Sequence, residues 1–248
     1  MGGARLRVMD LGEDVLSVLL SWLLRGLMAI GGTVLVYQGL PVAKAALQAQ
    51  KADAVVMKLR RGQEMSVPEV SAGIAALNSA VTADPVGDRY LQRSELEGGA
   101  ALTAPLKISL AFRTVWLNST RSDLELGLAA APARSIDWLR LAATRQGLDG
   151  PSREVIPPLL MSIQTGPWIE PVWPVRLRLI VDNWGYFTDV QKEEMQAYVV
   201  ELWKHASDQR FFAFNINNPV DELIIRNLLR DQSGAQESLT KWILVYKK

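Results

Sequence analysis

The side chains able to do chemistry are few and scattered. His205 is the single histidine among 248 residues, so any serine triad must rest on it, yet no G-x-S-x-G turn presents a serine. It stands one helical turn after Glu201, near the end of a helical stretch, where an imidazole caps carbonyls. Neither G-x-x-x-x-G-K-[ST] nor G-x-G-x-x-G occurs, which leaves nucleotides without a phosphate cradle. Asp182, Asp189, Glu193 and Glu194 are close in sequence, but Glu193 and Glu194 adjoin and face different sides of a helix. With no cysteine, there is no thiolate for a nucleophile, a metal, a disulfide or a lipid. The expectation is a non-enzyme with no catalytic, cofactor-binding or metal-binding residues.

Three groups remain that can bind without catalysing. Trp168 and Trp173 flank a proline-bounded segment and, if exposed, can stack on sugar rings; Trp184, Tyr186, Phe187, Trp203, Phe211, Phe212 and Phe214 follow and read as core. Lys58, Arg60 and Arg61 form a basic run suited to lipid headgroups or an acidic partner, or simply to water. Arg25 is the third and interrupts an otherwise apolar run from Val15 to Tyr37.

That run is long enough to cross a hydrocarbon layer of ~30 Å at ~1.5 Å per helical residue. A central arginine costs roughly 2.5 to 3.5 kcal/mol on insertion scales. The surrounding leucines, valines and isoleucines, at ~0.3 to 0.6 kcal/mol each, outweigh it. Arg25 then either snorkels to a carbonyl or meets a polar group on a partner's transmembrane helix. An amphipathic surface helix followed by a short apolar hairpin is the other way to lay out these residues. A signal peptide fits less well, although Ala43-Lys44-Ala45 has the small-x-small form, because the apolar run exceeds an h-region of about 7 to 15 residues.

Arg5 and Arg7 on one side and Lys44 and Lys51 on the other scarcely discriminate orientation. A short leading tail favours a signal anchor with the body outside the cytoplasm. The expected layout is a tail at 1–14, a transmembrane helix at 15–40 and an α-helical body at 43–248.

Composition fits one sizeable core beyond the anchor, with 49% hydrophobic residues. A net charge of +1 gives no electrostatic footprint for nucleic acid. The patterning is helical throughout. After an expected break at Gly39–Pro41, Ala45, Ala49, Ala52, Val56 and Leu59 share one face of a helix that Gly62 stops. Ser66-Val67-Pro68-Glu69 is a capping box for a helix with Val70, Gly73, Ile74, Leu77 and Ala80 inward, ending before Asp84-Pro85.

Val86 to Gly98 is expected to be helical with Tyr90 and Leu91 inward. Leu106 to Trp116 also fits the alternation of a strand, but its helical neighbours favour helix. Trp138 to Gly147 follows, and Ser152 to Gln164 contains Pro157 and Pro158, which kink a helix or move its start. Thr188 opens another capping box, with Met195, Tyr198, Val199, Leu202 and Trp203 as its apolar stripe. Asn218-Pro219 opens a further helix with Val220, Leu223, Ile224 and Leu228 on one face. The body thus reads as seven to nine short helices without a second domain.

Gly73, Leu77, Ala80 and Pro85 have the spacing of the second helix of a tetratricopeptide repeat, and Trp138, Leu141 and Ala142 that of the first. Pro132 and Pro167 bracket a unit close to the ~34-residue period. This part of the chain resembles a tetratricopeptide-like α-solenoid, although Ser94, Glu95 and Gly98 depart from the pattern and nothing after Gly166 matches it.

The layout resembles the membrane-anchored accessory proteins of bacterial envelopes. The phrases Leu124 to Pro132 and Ser135 to Leu141 look most similar to those found beside polysaccharide polymerases. The resemblance implies a non-catalytic adaptor in the inner membrane with a periplasmic body, binding a polytopic membrane protein or envelope complex through a concave helical face. It carries over no catalytic residues and no cofactor. The alternative is an envelope glycan-binding module using exposed aromatics. Arg25, Lys58, Arg60, Arg61, Trp168 and Trp173 are the expected contact residues.

Overall fold

The computed structural model describes residues 10–102 and 108–246, and every regular element among them is helical. Helix α1 runs unbroken over Asp10–Gln50 with Pro41 inside it, about 60 Å at ~1.5 Å per residue. The break expected at Gly39–Pro41 is therefore absent. Proline removes one N–H and crowds the carbonyl four residues back, here that of Tyr37, which is exposed where nothing packs against the helix. The chain instead turns at Lys51–Ala52, where the amides of Lys51 and Ala52 bond to the carbonyls of Gln48 and Ala49. Helix α2 (Asp53–Arg60) then continues the stripe. Ala45, Ala49 and Ala52 are buried across this turn, as their spacing predicts, and Gly62 stops α2 with φ +63°.

Two hairpins follow, α3 (Val67–Ala83) with α4 (Gly87–Leu102), then α5 (Leu110–Ala130) with α6 (Ser135–Asp149). The Ser66 hydroxyl accepts from the Glu69 amide and the Glu69 carboxylate accepts from the Ser66 amide, completing the expected capping box. All five residues assigned inward on α3 are buried. On α4 Leu91 is buried and Tyr90 half-buried. The ambiguous segment is helical from Leu110, with Ser109 as its cap; Leu106 lies outside the described residues, as do Arg5 and Arg7. Packing here is sequential: α1 and α3, α3 and α4, α4 and α5, α5 and α6.

Pro157 and Pro158 move the start of helix α7 (Ile156–Thr165) rather than kink it, because the first helical turn needs no N–H from them. The two hairpins open at Val67 and Leu110, a spacing longer than the ~34 residues of a tetratricopeptide unit. Beyond α7 the sequential order gives way to a cluster around α8 (Trp173–Asp182), which touches α6, α9 (Asp189–His205), α10 (Phe211–Phe214) and α11 (Pro219–Leu228). Helix α12 (Ala235–Tyr246) closes it against α10.

The Thr188 capping box is present, and the whole predicted stripe of α9 is buried. Helix α11 is a correction: Asn218 caps it, accepting from the amides of Val220 and Asp221, but the helix buries Asp221, Ile225 and Leu228. Val220 and Leu223 are exposed. Asp221 turns the helix inward because its carboxylate binds Arg178 on α8 at 2.8 Å and the Asn217 amide at 2.9 Å.

At the junction of the stack and the cluster lies Arg176, on α8 and 0% exposed. Its Nη2 donates to the Ser135 hydroxyl (2.7 Å), the Ser162 carbonyl (2.7 Å) and the Gly166 carbonyl (2.9 Å). Nη1 donates to the Tyr198 hydroxyl (3.0 Å) and the Pro167 carbonyl (3.2 Å), and Nε to the Ser162 hydroxyl (3.2 Å). Helices α6, α7, α8 and α9 all meet on this one group. Gly166 is required there by close approach, since a Cβ would stand 2.9 Å from both Cβ and Oγ of Ser135.

Arg176→Met should cost on the order of 3 to 5 kcal/mol, because it strands several buried carbonyls and hydroxyls together. Arg176→Lys should recover only part of this, since three donors on a compact ammonium cannot replace a five-donor fork. Urea midpoints of the full chain in detergent micelles, followed by circular dichroism, measure both. A loss under about 1 kcal/mol for the methionine variant would reduce the cluster to ordinary packing.

Candidate partner-binding surfaces

The N-terminal helix offers the first surface. From Ser17 to Gln50 it is long and apolar enough to cross a membrane, and its most apolar stretch has no residue buried in the protein. Leu19, Leu20, Trp22, Leu23, Leu27, Ile30 and Leu35 project outward all round it. Within this stretch the Arg25 guanidinium lies over the Trp22 ring at 5.8 Å. That contact shields one face of the charge and leaves its N–H groups directed elsewhere.

The basic run is less free than its sequence implies. Lys58 pairs with Glu69 at 2.7 Å, and with the Ser66 cap it holds the Glu69 carboxyl at about 2. Arg60 binds Glu95 of α4 in bidentate fashion, 2.7 and 2.8 Å, and its own pKa is raised by that hydrogen bond. Arg61, at the end of α2, is exposed.

Glu95 also receives Arg140 of α6 at 3.1 Å. Arg140 in turn binds Asp137 at 2.7 Å, Asp137 binds Arg134 at 2.8 Å, and Arg134 binds Asp88 at 3.0 Å. The result is a ladder of alternating charge, Arg60, Glu95, Arg140, Asp137, Arg134 and Asp88, laid across α2, α4 and α6. Burial alone pushes the Glu95 carboxyl up, but Arg60 and Arg140 outweigh it and hold the group below the usual carboxylate range.

The ladder lines two clefts that share Arg60 and Glu95. One, of about 280 Å³, lies between α1, α2, α3 and α4, with Ala49, Val56, Met57 and Leu77 in its walls. The other, of about 350 Å³, runs beside the start of α6, with Ile136, Thr165 and Ile169. The first has apolar walls beside the Arg60–Glu95 pair, and the second is lined by Arg134, Asp137 and Arg140 of the ladder. Sequence reasoning found only the Arg60 end of the ladder. The spacing of Arg134, Asp137 and Arg140 was a legible signal, since residues three apart meet on a helix face. Nothing in the sequence announces the pairing of Arg60 with Glu95.

The aromatic residues divide. Trp168 is 57% exposed, whereas Trp173 is 3% exposed and donates its indole N–H to the Pro167 carbonyl at 2.9 Å. Trp173 is thus a core residue rather than a contact residue, because it begins α8 and fills the space beside Arg176. The two rings meet edge to face at 6.5 Å. His205 caps the Glu201 carbonyl at 3.0 Å and lies 5.4 Å from the Trp168 ring. Of the scattered acids, Asp182 pairs with Arg178, and among the described residues no group of three His, Asp or Glu side chains is placed to hold a metal. No family model, curated protein or solved structure matches the chain.

Beneath the ladder, α4 carries Glu97, 4% exposed and with one carboxylate oxygen lacking a hydrogen-bond partner. Burial pushes its pKa up; Ser119 opposes this, Asp123 adds to it, and Arg93 pulls back. Arg93 is committed to Asp123, at 2.6 Å on both oxygens. The folded state therefore holds the Glu97 proton more tightly than the unfolded chain. Stability that depends on this proton is present below the unfolded value of ~4.3 and is lost as pH rises through the folded value. Glu97→Gln should raise the denaturation midpoint at pH 8, with the difference from the parent shrinking as pH falls to 4. Equal midpoints at pH 8 would mean that Glu97 is not strained by ionisation.

Proposed function

We propose that the chain is a non-catalytic, single-pass adaptor of the bacterial inner membrane, its helical body facing the periplasm and holding a partner of an envelope assembly for polysaccharide synthesis or export. The observation that carries this reading is α1. One helix exposes apolar side chains all round through Val36 and then, without a break, buries Ala45 and Ala49 in the body. A helix apolar on every side belongs in lipid or against other helices. Its rigid junction sets the height and angle of the body above the membrane.

The sequential packing of the helices after the anchor supports a short stack of helical hairpins of the tetratricopeptide-like sort, ended by the α8 cluster. Such stacks bind extended segments on a concave face. The two clefts around Arg60 and Glu95 are the concave surfaces available, lined by ion pairs of the ladder. Arg25 provides the second contact, to a polar or acidic group on the partner's transmembrane helix. Lys58, paired with Glu69, and the exposed Arg61 flank Arg60 in sequence.

Photo-crosslinkers at Leu24 and at Met57, in native membranes, test both contacts. Recovery of the same polytopic membrane protein from both positions supports the adaptor; recovery of this chain alone from both opposes it. Arg25→Leu should leave membrane insertion intact, because it removes an unfavourable charge, while reducing the recovered complex about tenfold or more, as expected for one buried charge-assisted contact of about 1.5 kcal/mol or more. Unchanged recovery would remove Arg25 from the interface.

A second reading, an envelope glycan-binding module, is favoured only by the exposure of Trp168 beside His205. With Trp173 in the core, one ring is left to stack on a sugar. On this reading Trp168→Ala abolishes retention on immobilised envelope glycans with the helical content unchanged, and equal retention would reject it.

A further inference from the structure

A further cavity of about 210 Å³ lies where α4, α5, α6 and α8 converge. Leu102, Ile136, Leu139, Ala143 and Val175 give it apolar walls, and Gly98 and Gly99 bring the backbone of α4 close. The approach is tight: a Cβ on Gly98 would stand 2.7 Å from the Thr120 methyl. Ile136 and Val175 are exposed, so the cavity reaches solvent between α6 and α8. It shares Ile136 and Arg140 with the second cleft, but its other walls take no part in the contacts proposed for the adaptor.

Two lining residues are unusual. Thr120 and Thr144 are 1% and 0% exposed, and neither hydroxyl has a hydrogen-bond partner. A buried hydroxyl left unpaired costs about 1 to 3 kcal/mol, so two beside one cavity call for an explanation. Both hydroxyl oxygens are shielded from the cavity as the side chains stand, and because helical threonine divides between two χ1 rotamers, a ligand oxygen is met by a change of rotamer.

The chemistry of the occupant follows from the walls. A dry apolar cavity of roughly 150 Å³ holds benzene, so this one accepts on the order of seven to nine non-hydrogen atoms. Arg140 also lines it, but its guanidinium is bound to Glu95 and Asp137, which leaves no uncommitted cation for a carboxylate. A neutral oxygen able both to donate and to accept is what two hydroxyls satisfy. We propose that the cavity binds the end of a neutral aliphatic alcohol, its chain against Leu102, Leu139 and Ala143 and its hydroxyl between Thr120 and Thr144.

The probe is 7,7,7-trifluoroheptan-1-ol, observed by fluorine NMR with the full chain in lipid nanodiscs, empty nanodiscs giving the signal of probe dissolved in lipid. The expected result is a further, saturable resonance that depends on protein. Ala143→Leu, which fills the cavity, and Val175→Trp, which closes its mouth from the exposed side, should each abolish that resonance. The double variant Thr120→Val, Thr144→Val should weaken alcohol binding about tenfold, the size of roughly one net hydrogen bond. Binding of 1,1,1-trifluoroheptane should be unaffected by the same pair of changes. Absence of a protein-dependent resonance, or its survival in Val175→Trp, overturns the site. Equal alcohol affinity in the double valine variant overturns the role of the hydroxyls.

Discussion

A guanidinium withdrawn from water, with no carboxylate beside it, organises the middle of this molecule. The charge of Arg176 is met by carbonyls and hydroxyls alone. The carbonyls of Ser162 and Gly166 belong to the end of α7, where a helix exposes unpaired C=O groups and carries about half a negative charge. The helix terminus stands in for the missing counter-ion. Each donor on Arg176 meets an oxygen acceptor, so charge and carbonyls stabilise one another. The Pro167 carbonyl also accepts from Trp173, and the Ser135 hydroxyl donates onward to Ser162. The start of α6, the end of α7 and the packed faces of α8 and α9 are consequently fixed by one set of bonds, and the hairpin stack cannot shift against the C-terminal cluster without breaking them.

The other constraint is mechanical. Because α1 enters the body as a helix, the last exposed turns and the first buried ones share a single rod. Proline at position 41 deletes one bond from that rod without ending it, since the freed Tyr37 carbonyl faces outward where polar headgroups or water can satisfy it. The turn at Lys51–Ala52 comes only after Ala49 is already packed. A body joined by a flexible linker would sample many heights above a bilayer. Here Ala49, in the wall of the first cleft, belongs to the same helix as Arg25, so the two stand at a fixed separation.

What was legible beforehand depended on whether the deciding interaction was local. The capping boxes at Ser66 and Thr188, the Asn218 cap and the stripe of α9 each involve residues within a few turns, and all are found where their spacing put them. The α11 face was misjudged because Asp221 binds Arg178, 43 positions earlier, and that bond rotates the helix away from its apolar pattern. Trp173 was misplaced for the same reason: its burial depends on Pro167 and Arg176, and its neighbours in sequence look like a surface loop. Arg176 itself carried no signal, since an arginine between Val175 and Leu177 reads as a polar interruption. The helical class of the chain was readable throughout, but a period of ~34 residues was not the one the hairpins adopt.

The two charge systems differ in how deeply they are buried. The Arg176 guanidinium is itself fully buried, although the Gly166 and Pro167 carbonyls it binds are partly covered, so exchanging its bonds leaves a buried charge short of partners. In the ladder, Glu95 and Asp137 are nearly covered, with 12% and 3% of their side chains exposed, while Arg60 and Arg134 are about half exposed. Each of these pairs joins a half-exposed arginine to a nearly covered carboxylate, so losing the arginine costs more than the about 0 to 1 kcal/mol of a fully exposed pair. The inner carboxylates cannot be left without a cation, and Arg140 bridges both of them. One guanidinium cannot balance two carboxylates, so Glu95 and Asp137 depend on Arg60 and Arg134 as well as on Arg140. The ladder therefore holds as a unit: turning either outer arginine away leaves a nearly buried carboxylate sharing its one remaining cation.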